Sequence, residues 1–135
     1  MDPFLPLLVA AEATSELRFG PLVVNNEFNN PVLLARTAAS FDRLTEGRLV
    51  LGMGAGYARS EHEAADIPLR KPGARVTRFG ESLVGLRSLL DDGSVICRGE
   101  HINLSIEDLG VRAVQKRVPI LVGGHGPRVV AVAAR

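Results

Sequence analysis

The sequence predicts an α/β fold built from parallel strand–helix units. Three observations lead there. Helix and strand patterns alternate with short connections through the first half of the chain, the signature of consecutive βα units. Residues 48–51, Arg-Leu-Val-Leu, run without a polar break, as a strand covered on both faces does. That strand runs into Gly52-Met53-Gly54-Ala55-Gly56, and a second apolar run, residues 119–122, runs into Gly123-Gly124-His125-Gly126.

The elements follow in order. Asp2-Pro3 reads as a helix start, with Asp2 as N-cap and Pro3 at the first helical position. Phe4, Leu7, Leu8 and Ala11 recur at helical spacing, and the helix is expected to end near Thr14. Residues 17–24, with Leu22-Val23-Val24 behind Gly20-Pro21, read as a strand, and residues 25–29 as a loop. Asn30-Pro31 repeats the cap signal and opens a helix whose inward face is Leu34, Ala38, Phe41 and Leu44. Glu46-Gly47 closes it. Residues 60–65 form a short helix with an acidic face, and Pro68 and Pro72-Gly73 mark the loop beyond. Val76, Phe79, Leu83, Leu86 and Leu90 then stand three or four apart, a strongly amphipathic helix stopped by Asp91-Asp92-Gly93. Residues 95–98 and 101–104 flank Gly99-Glu100 as a small hairpin. Residues 105–118 are irregular and polar, residues 119–122 are a third buried strand, and residues 127–134 a helix.

Composition bounds the function classes. The chain has 135 residues, enough for one small domain. The net charge is +1, so electrostatics gives no case for nucleic acid or an anionic membrane. Trp is absent, which leaves few surfaces on which bases could stack. The one cysteine, Cys97, excludes an internal disulfide and reads as a small buried hydrophobe. No apolar run approaches the roughly 20 residues of a membrane span, and no basic segment precedes the apolar N-terminal stretch. A cytoplasmic protein is the expectation. No His, Cys or carboxylate spacing suggests a metal site.

Two strands ending in glycine turns put the interest at the carboxyl edge, where parallel α/β folds bind ligands. The glycines serve either tight turns alone or close approach of a ligand; two such turns at one edge favour the ligand. Gly126-Pro127-Arg128 opens a helix, and helix-start N–H groups beside an arginine suit an anion such as phosphate. His125 lies among those glycines. By contrast, His62 on the acidic helix reads as solvated and His101 as surface. The run Gly52-Met53-Gly54-Ala55-Gly56-Tyr57 holds only the first two glycines of a dinucleotide fingerprint, with Tyr57 at the third position, and no Walker lysine follows a glycine loop.

These residues carry a resemblance. The segments Asp2-Pro3-Phe4, Arg18-Phe19-Gly20-Pro21-Leu22-Val23-Val24-Asn25-Asn26, Asn30-Pro31-Val32-Leu33-Leu34-Ala35-Arg36, Asp42-Arg43-Leu44 and residues 47–56 continue into Glu61, Arg75 with Arg78, and residues 119–128. In this order the chain resembles the bacterial luciferase-like superfamily, and within it the branch that uses the deazaflavin coenzyme F420. The resemblance implies a (β/α)8 TIM barrel, here partial: about three parallel strands with helices, plus the hairpin. It implies an oxidoreductase that transfers hydride between coenzyme F420 and a small substrate, with an FMN-dependent monooxygenase, or an inactive remnant that binds only cofactor phosphate or a partner chain, as alternatives. A backbone irregularity backing the coenzyme ring maps to Leu22-Val23, with Asn25 just beyond. Ring contact maps to Ala55 and Gly56. The phosphate site maps to Gly124, His125, Gly126, Arg128 and Val129, where the anion site was read from the residues alone. One branch carries a catalytic carboxylate where this chain has Tyr57, so that activity is not expected and no catalytic acid or base is assigned.

A whole barrel of this type takes about 250 residues. Residues 1–135 are therefore expected to be one domain incomplete at both ends, lacking the first two and last three strands. Open sheet edges, and an inner face expected to expose Leu49, Val50 and Leu51, predict self-association or a complementing chain.

Overall fold

A computed structural model describes residues 2–134. The order is α1 (Leu5–Glu12), β1 (Val24–Asn25), a 3₁₀ turn (Asn26–Phe28), α2 (Pro31–Leu44), β2 (Leu51–Gly54), α3 (Arg59–Ala64), α4 (Pro72–Asp91), β3 (Val95–Arg98), β4 (Asn103–Ile106), β5 (Ile120–Gly123) and α5 (Pro127–Ala133). Strands β1, β2 and β5 form one parallel sheet in that order, and β3 pairs antiparallel with β4. The expected α/β class, the three parallel strands and the hairpin are all present.

Asn30 caps α2 as its sequence signal demands: its side-chain oxygen accepts from Val32 N at 2.9 Å and Leu33 N at 3.4 Å. At the chain's start, Asp2 Oδ1 accepts from Phe4 N at 2.8 Å and Leu5 N at 3.1 Å, yet the helix proper begins only at Leu5. Glu46 and Gly47 adopt φ of 54° and 81°, turning α2 back toward the sheet.

Three expectations need correction. The segment before β1 is not a continuous strand. It makes one bridge, Phe19 to Leu49, and only Val24–Asn25 pairs regularly. Between them the Leu22–Val23 peptide is cis, at the expected irregularity, and Leu22 turns 82% of its surface to solvent. Second, Leu44 is exposed; Asp42 and Thr45 are buried in its place. Third, β5 is only half-covered: among the described residues no strand pairs with its second edge, and α5 has no fully buried residue. Its helix-facing side chains, Ile120 and Val122, line a cleft of about 790 Å³ between α4 and α5.

The core lies on one face of the sheet. Leu49, Leu51 and Met53 are fully buried there, with Val24, Leu34, Ala38, Phe79, Leu86 and Leu89. Strand alternation sends Val50, Gly52 and Gly54 to the other face. The leucines expected on the open inner face therefore pack against the helices, and the inner face is largely glycine.

Two carboxylates hold irregular segments in place. Buried Asp42, at the end of α2, accepts from Val114 N at 2.8 Å and Gln115 N at 2.9 Å. Glu81, on α4, accepts from three successive N–H groups of the hairpin turn: Glu100 at 2.8 Å, His101 at 2.8 Å and Ile102 at 2.9 Å. Burial pushes the Glu81 carboxyl up, but those N–H groups and the nearby His101 outweigh it and hold it below its ordinary value. His101 is thereby drawn in; its side chain is only 19% exposed.

Candidate functional site

The strand register brings Asn25, Gly54 and Gly123 into one row at the carboxyl edge of the sheet. Side chains in register share a face in a parallel sheet. That row therefore continues the inner face through Gly52 and Leu121, two register positions back. The glycines make this face flat, and Val23 lies across it. A Cβ on Gly54 would stand 2.9 Å from Val23 Cγ2, and one on Gly123 would stand 2.9 Å from Val23 Cγ1. The close approach expected at these glycines is real, but the nearest occupant is the chain's own segment. Pro21 O crowds Gly52 in the same way. Gly52 and Gly54 lie within β2, paired with Leu121 and Gly123 of β5, and not in a turn after it.

Beyond β2 the backbone turns at Gly56, with φ of 77°. The Asn25 side chain lies directly against Gly56 Cα, where a Cβ would collide with it. Its Oδ1 accepts from Glu27 N at 2.9 Å, and its own carbonyl accepts from Asn29 Nδ2 at 2.8 Å. Ala55 is half-buried and packs on the core. Tyr57 is 87% exposed at the rim.

After β5, Gly124 has φ of 146°, and a Cβ there would meet Val129 Cγ1 at 2.8 Å. His125 and Arg128 are exposed, and neither side chain hydrogen-bonds within the described residues. No side chain caps the start of α5 at Gly126. Space around Gly126 is open, and the Arg128 guanidinium reaches toward Gly73 at the start of α4. The structure thus brings Asn25, at the end of β1, against Gly56, just beyond Ala55 at the adjoining end of β2. It sets Gly124, His125, Gly126, Arg128 and Val129 beyond the end of β5, on the same edge.

Two buried polar residues beside this edge were not legible in the sequence. Glu27, expected in a plain loop, has a fully shielded side chain between Arg70 Nη1 at 2.6 Å and Arg78 Nη1 at 3.4 Å. Arg78 also donates to Asn26 O at 2.6 Å and Asn29 O at 3.3 Å. His62, expected in solvent, is 1% exposed. Its ring sits edge-on to Phe28 at 4.8 Å between centroids, with Nδ1 3.1 Å from Ile67 O. The helix face that looked acidic carries one inward residue, and that residue is the histidine. A cap signal at Asn25 and arginines at Arg70 and Arg78 were the only available clues to the Glu27 cluster.

Among the described residues, no group of three or more His, Cys, Asp or Glu could hold a metal ion, and no helix is long and apolar enough to cross a membrane.

Comparison with known proteins fits this architecture. The model of the family described as luciferase-like monooxygenase matches residues 1–135. An uncharacterized protein of Mycobacterium tuberculosis (strain ATCC 25618 / H37Rv) is 30% identical over 126 residues, covering 93% of this chain and 44% of its own. The coenzyme F420-dependent tetrahydromethanopterin reductase from Methanopyrus kandleri superposes with a TM-score of 0.86 at 24% identity, covering 98% of this chain and 42% of that one. The oxygenating constituent of 3,6-diketocamphane monooxygenase from Pseudomonas putida, in complex with FMN, gives 0.73 at 21% identity, covering 91% of this chain and 37% of that one. The chain spans less than half the length of each of these proteins. Its three parallel strands and their helices correspond to an arc of the barrel those structures share. With the family model matching from end to end, the chain belongs to the luciferase-like monooxygenase family.

Proposed function

We propose that these residues form part of the coenzyme-binding edge of a deazaflavin-dependent oxidoreductase, with coenzyme F420 as hydride carrier to or from a small substrate. The observation that carries this reading is the row Asn25, Gly54, Gly123 at the carboxyl ends of three parallel strands, with further glycines immediately beyond. The glycines let Val23 lie close against the sheet as a low apolar surface, which suits a flat ring system, and ligands of parallel α/β folds bind at that edge.

The residues fit such a group. Gly54 and Gly123 keep the face flat under Val23, and Asn25, Ala55 and Gly56 border it. At the next strand end, the uncapped start of α5 with Gly124, His125, Gly126, Val129 and the exposed Arg128 offers N–H donors and a cation for a phosphate. The bound coenzyme would supply the redox chemistry. This chain's residues would orient the ring, hold the phosphate and shield one ring face. No residue here is assigned as acid or base.

FMN with monooxygenase chemistry is the second reading, favoured by the likeness to the FMN-bound diketocamphane monooxygenase. The open edges of β1 and β5 support a partner as well. In this reading the remaining barrel strands come from sequence beyond these residues, from a second copy, or from a complementing chain.

Titration of the purified chain with F420 and with FMN, followed by coenzyme fluorescence and by the thermal transition, tests the proposal. Saturable binding of F420, tighter than FMN, with an upward shift in the transition is the expected result. The reverse preference selects the monooxygenase reading. A folded chain indifferent to both coenzymes overturns the proposal.

A further inference from the structure

We propose that Glu27 and Arg78 are positioning residues that fix the side-chain amide of Asn25 at the coenzyme edge; the inference rests on the proposed role of that edge. Arg78 projects from α4 and closes three contacts in one place. It pairs with the Glu27 carboxylate at 3.4 Å and donates to Asn26 O at 2.6 Å and Asn29 O at 3.3 Å, so it grips the 3₁₀ turn at both ends and at its middle. Arg70 holds the other oxygen of Glu27 at 2.6 Å from the loop after α3.

The consequence passes through one backbone group. Glu27 N donates to Asn25 Oδ1 at 2.9 Å. That bond decides which end of the Asn25 amide points into the turn. Oδ1 is committed there. Nδ2 donates to no group among the described residues and is left with its hydrogens free at the strand end. The amide lies against Gly56, in the space a side chain there would fill. An asparagine with a free rotor could turn either end outward; this one keeps Oδ1 toward the turn and presents its Nδ2 donors outward. A ligand group met by Asn25 is accordingly an acceptor, such as a ring carbonyl.

Arg78 and Glu27 are well suited to the task because both are shielded. The Glu27 side chain is fully buried and that of Arg78 is 11% exposed, whereas Arg70 is 42% exposed. Removing either shielded partner strands the other's charge and loosens the turn. Arg70 touches only the carboxylate and not the turn's backbone, so it adds to the cluster without setting the orientation.

The test reads Asn25 directly. In ¹⁵N-labelled chain, cross-relaxation between the Asn25 side-chain amide protons and Gly56 Hα reports the observed packing. Arg78→Lys and Glu27→Gln are each expected to weaken it at least twofold while a cooperative thermal transition persists. Arg70→Met is expected to leave it near the unsubstituted value. Arg78→Gln replaces either variant that fails to fold. Unchanged cross-peaks in a folded Arg78 or Glu27 variant, or an equal loss in Arg70→Met, overturn the proposal. A second measurement is affinity for F420. Glu27→Gln is expected to weaken it about fivefold in the unsubstituted chain and less than twofold beside Asn25→Ala. An equal loss in both backgrounds also overturns it, because the effect then bypasses Asn25. If the unsubstituted chain binds neither F420 nor FMN, the coenzyme reading fails, and the cross-peaks still decide the positioning.

Discussion

Gln115 donates its side-chain amide to the Asp42 carboxylate at 2.7 Å, joining positions 73 residues apart. The same amide nitrogen donates to Leu49 O at 2.9 Å, and Asp42 accepts from the backbone of Leu49, Val114 and Gln115 as well. One carboxylate thus joins the end of α2, the approach to β2 and the irregular segment before β5. It sits at the amino ends of the strands, opposite the candidate site, and its role is architectural.

Asp42→Ala should therefore cost roughly 2–4 kcal/mol, since it strands several buried donors at once. Gln115→Ala, which removes donor and carbonyl contacts together, should cost about 1–2 kcal/mol. Urea unfolding at fixed pH checks both. Equal midpoints for Asp42→Ala and the parent would sink the assignment.

Gly123→Ala puts a methyl group against Val23 Cγ1 and should destabilise by about 1–3 kcal/mol. Val23 Cγ2 follows at 3.3 Å, and the nearest atom outside Val23 is Met53 O at 3.6 Å, an ordinary contact. Adding Val23→Ala should accordingly recover much of the loss. A double-mutant cycle with no coupling would show that Val23 does not lie on this floor in solution.

The hairpin should respond to acid through Glu81. Its folded-state carboxyl lies below the ordinary value, so its contribution is full above about pH 4.3, the unfolded value, and is lost as pH falls through the folded one. Glu81→Gln should lower stability at pH 7 by about 1 kcal/mol, allowing for partial exposure to solvent. The gap between parent and variant should close in that acid range. A gap that stays constant down to pH 2 would assign the effect to packing and not to charge.

His62→Ala should cost roughly 1–3 kcal/mol, because it removes a buried ring and frees Ile67 O. Faster amide exchange confined to residues 59–71 would show that the ring anchors this segment to Phe28. Exchange rising equally across the sheet would argue for global loss instead.

Local chemistry made much of the fold legible. The Asn30-Pro31 cap, the Glu46-Gly47 reversal, the periodic face of α4 and the glycine-ended strands are all signals written within a few residues. The expectations that failed depend on distant neighbours. Val23 leaves the strand path because it lies over glycines 54 and 123, which no window around residue 23 contains. Glu27 becomes a buried ion-pair centre through arginines 43 and 51 residues away. Leu49 and Leu51 turn toward the helices because of pairing phase, and an unbroken apolar run does not encode phase. The site residues were approachable for a related reason: glycines at strand ends mark an edge, while the charges that organise it arrive from other elements.

The floor of glycine under Val23 has a chemical consequence of its own. That patch is made of peptide planes and two methyl groups, with the Asn25 amide at its margin. None of these groups gains or loses a proton between strong acid and strong base. A molecule resting there meets the same surface at every pH the protein survives. Any pH response in its affinity must then originate outside this patch.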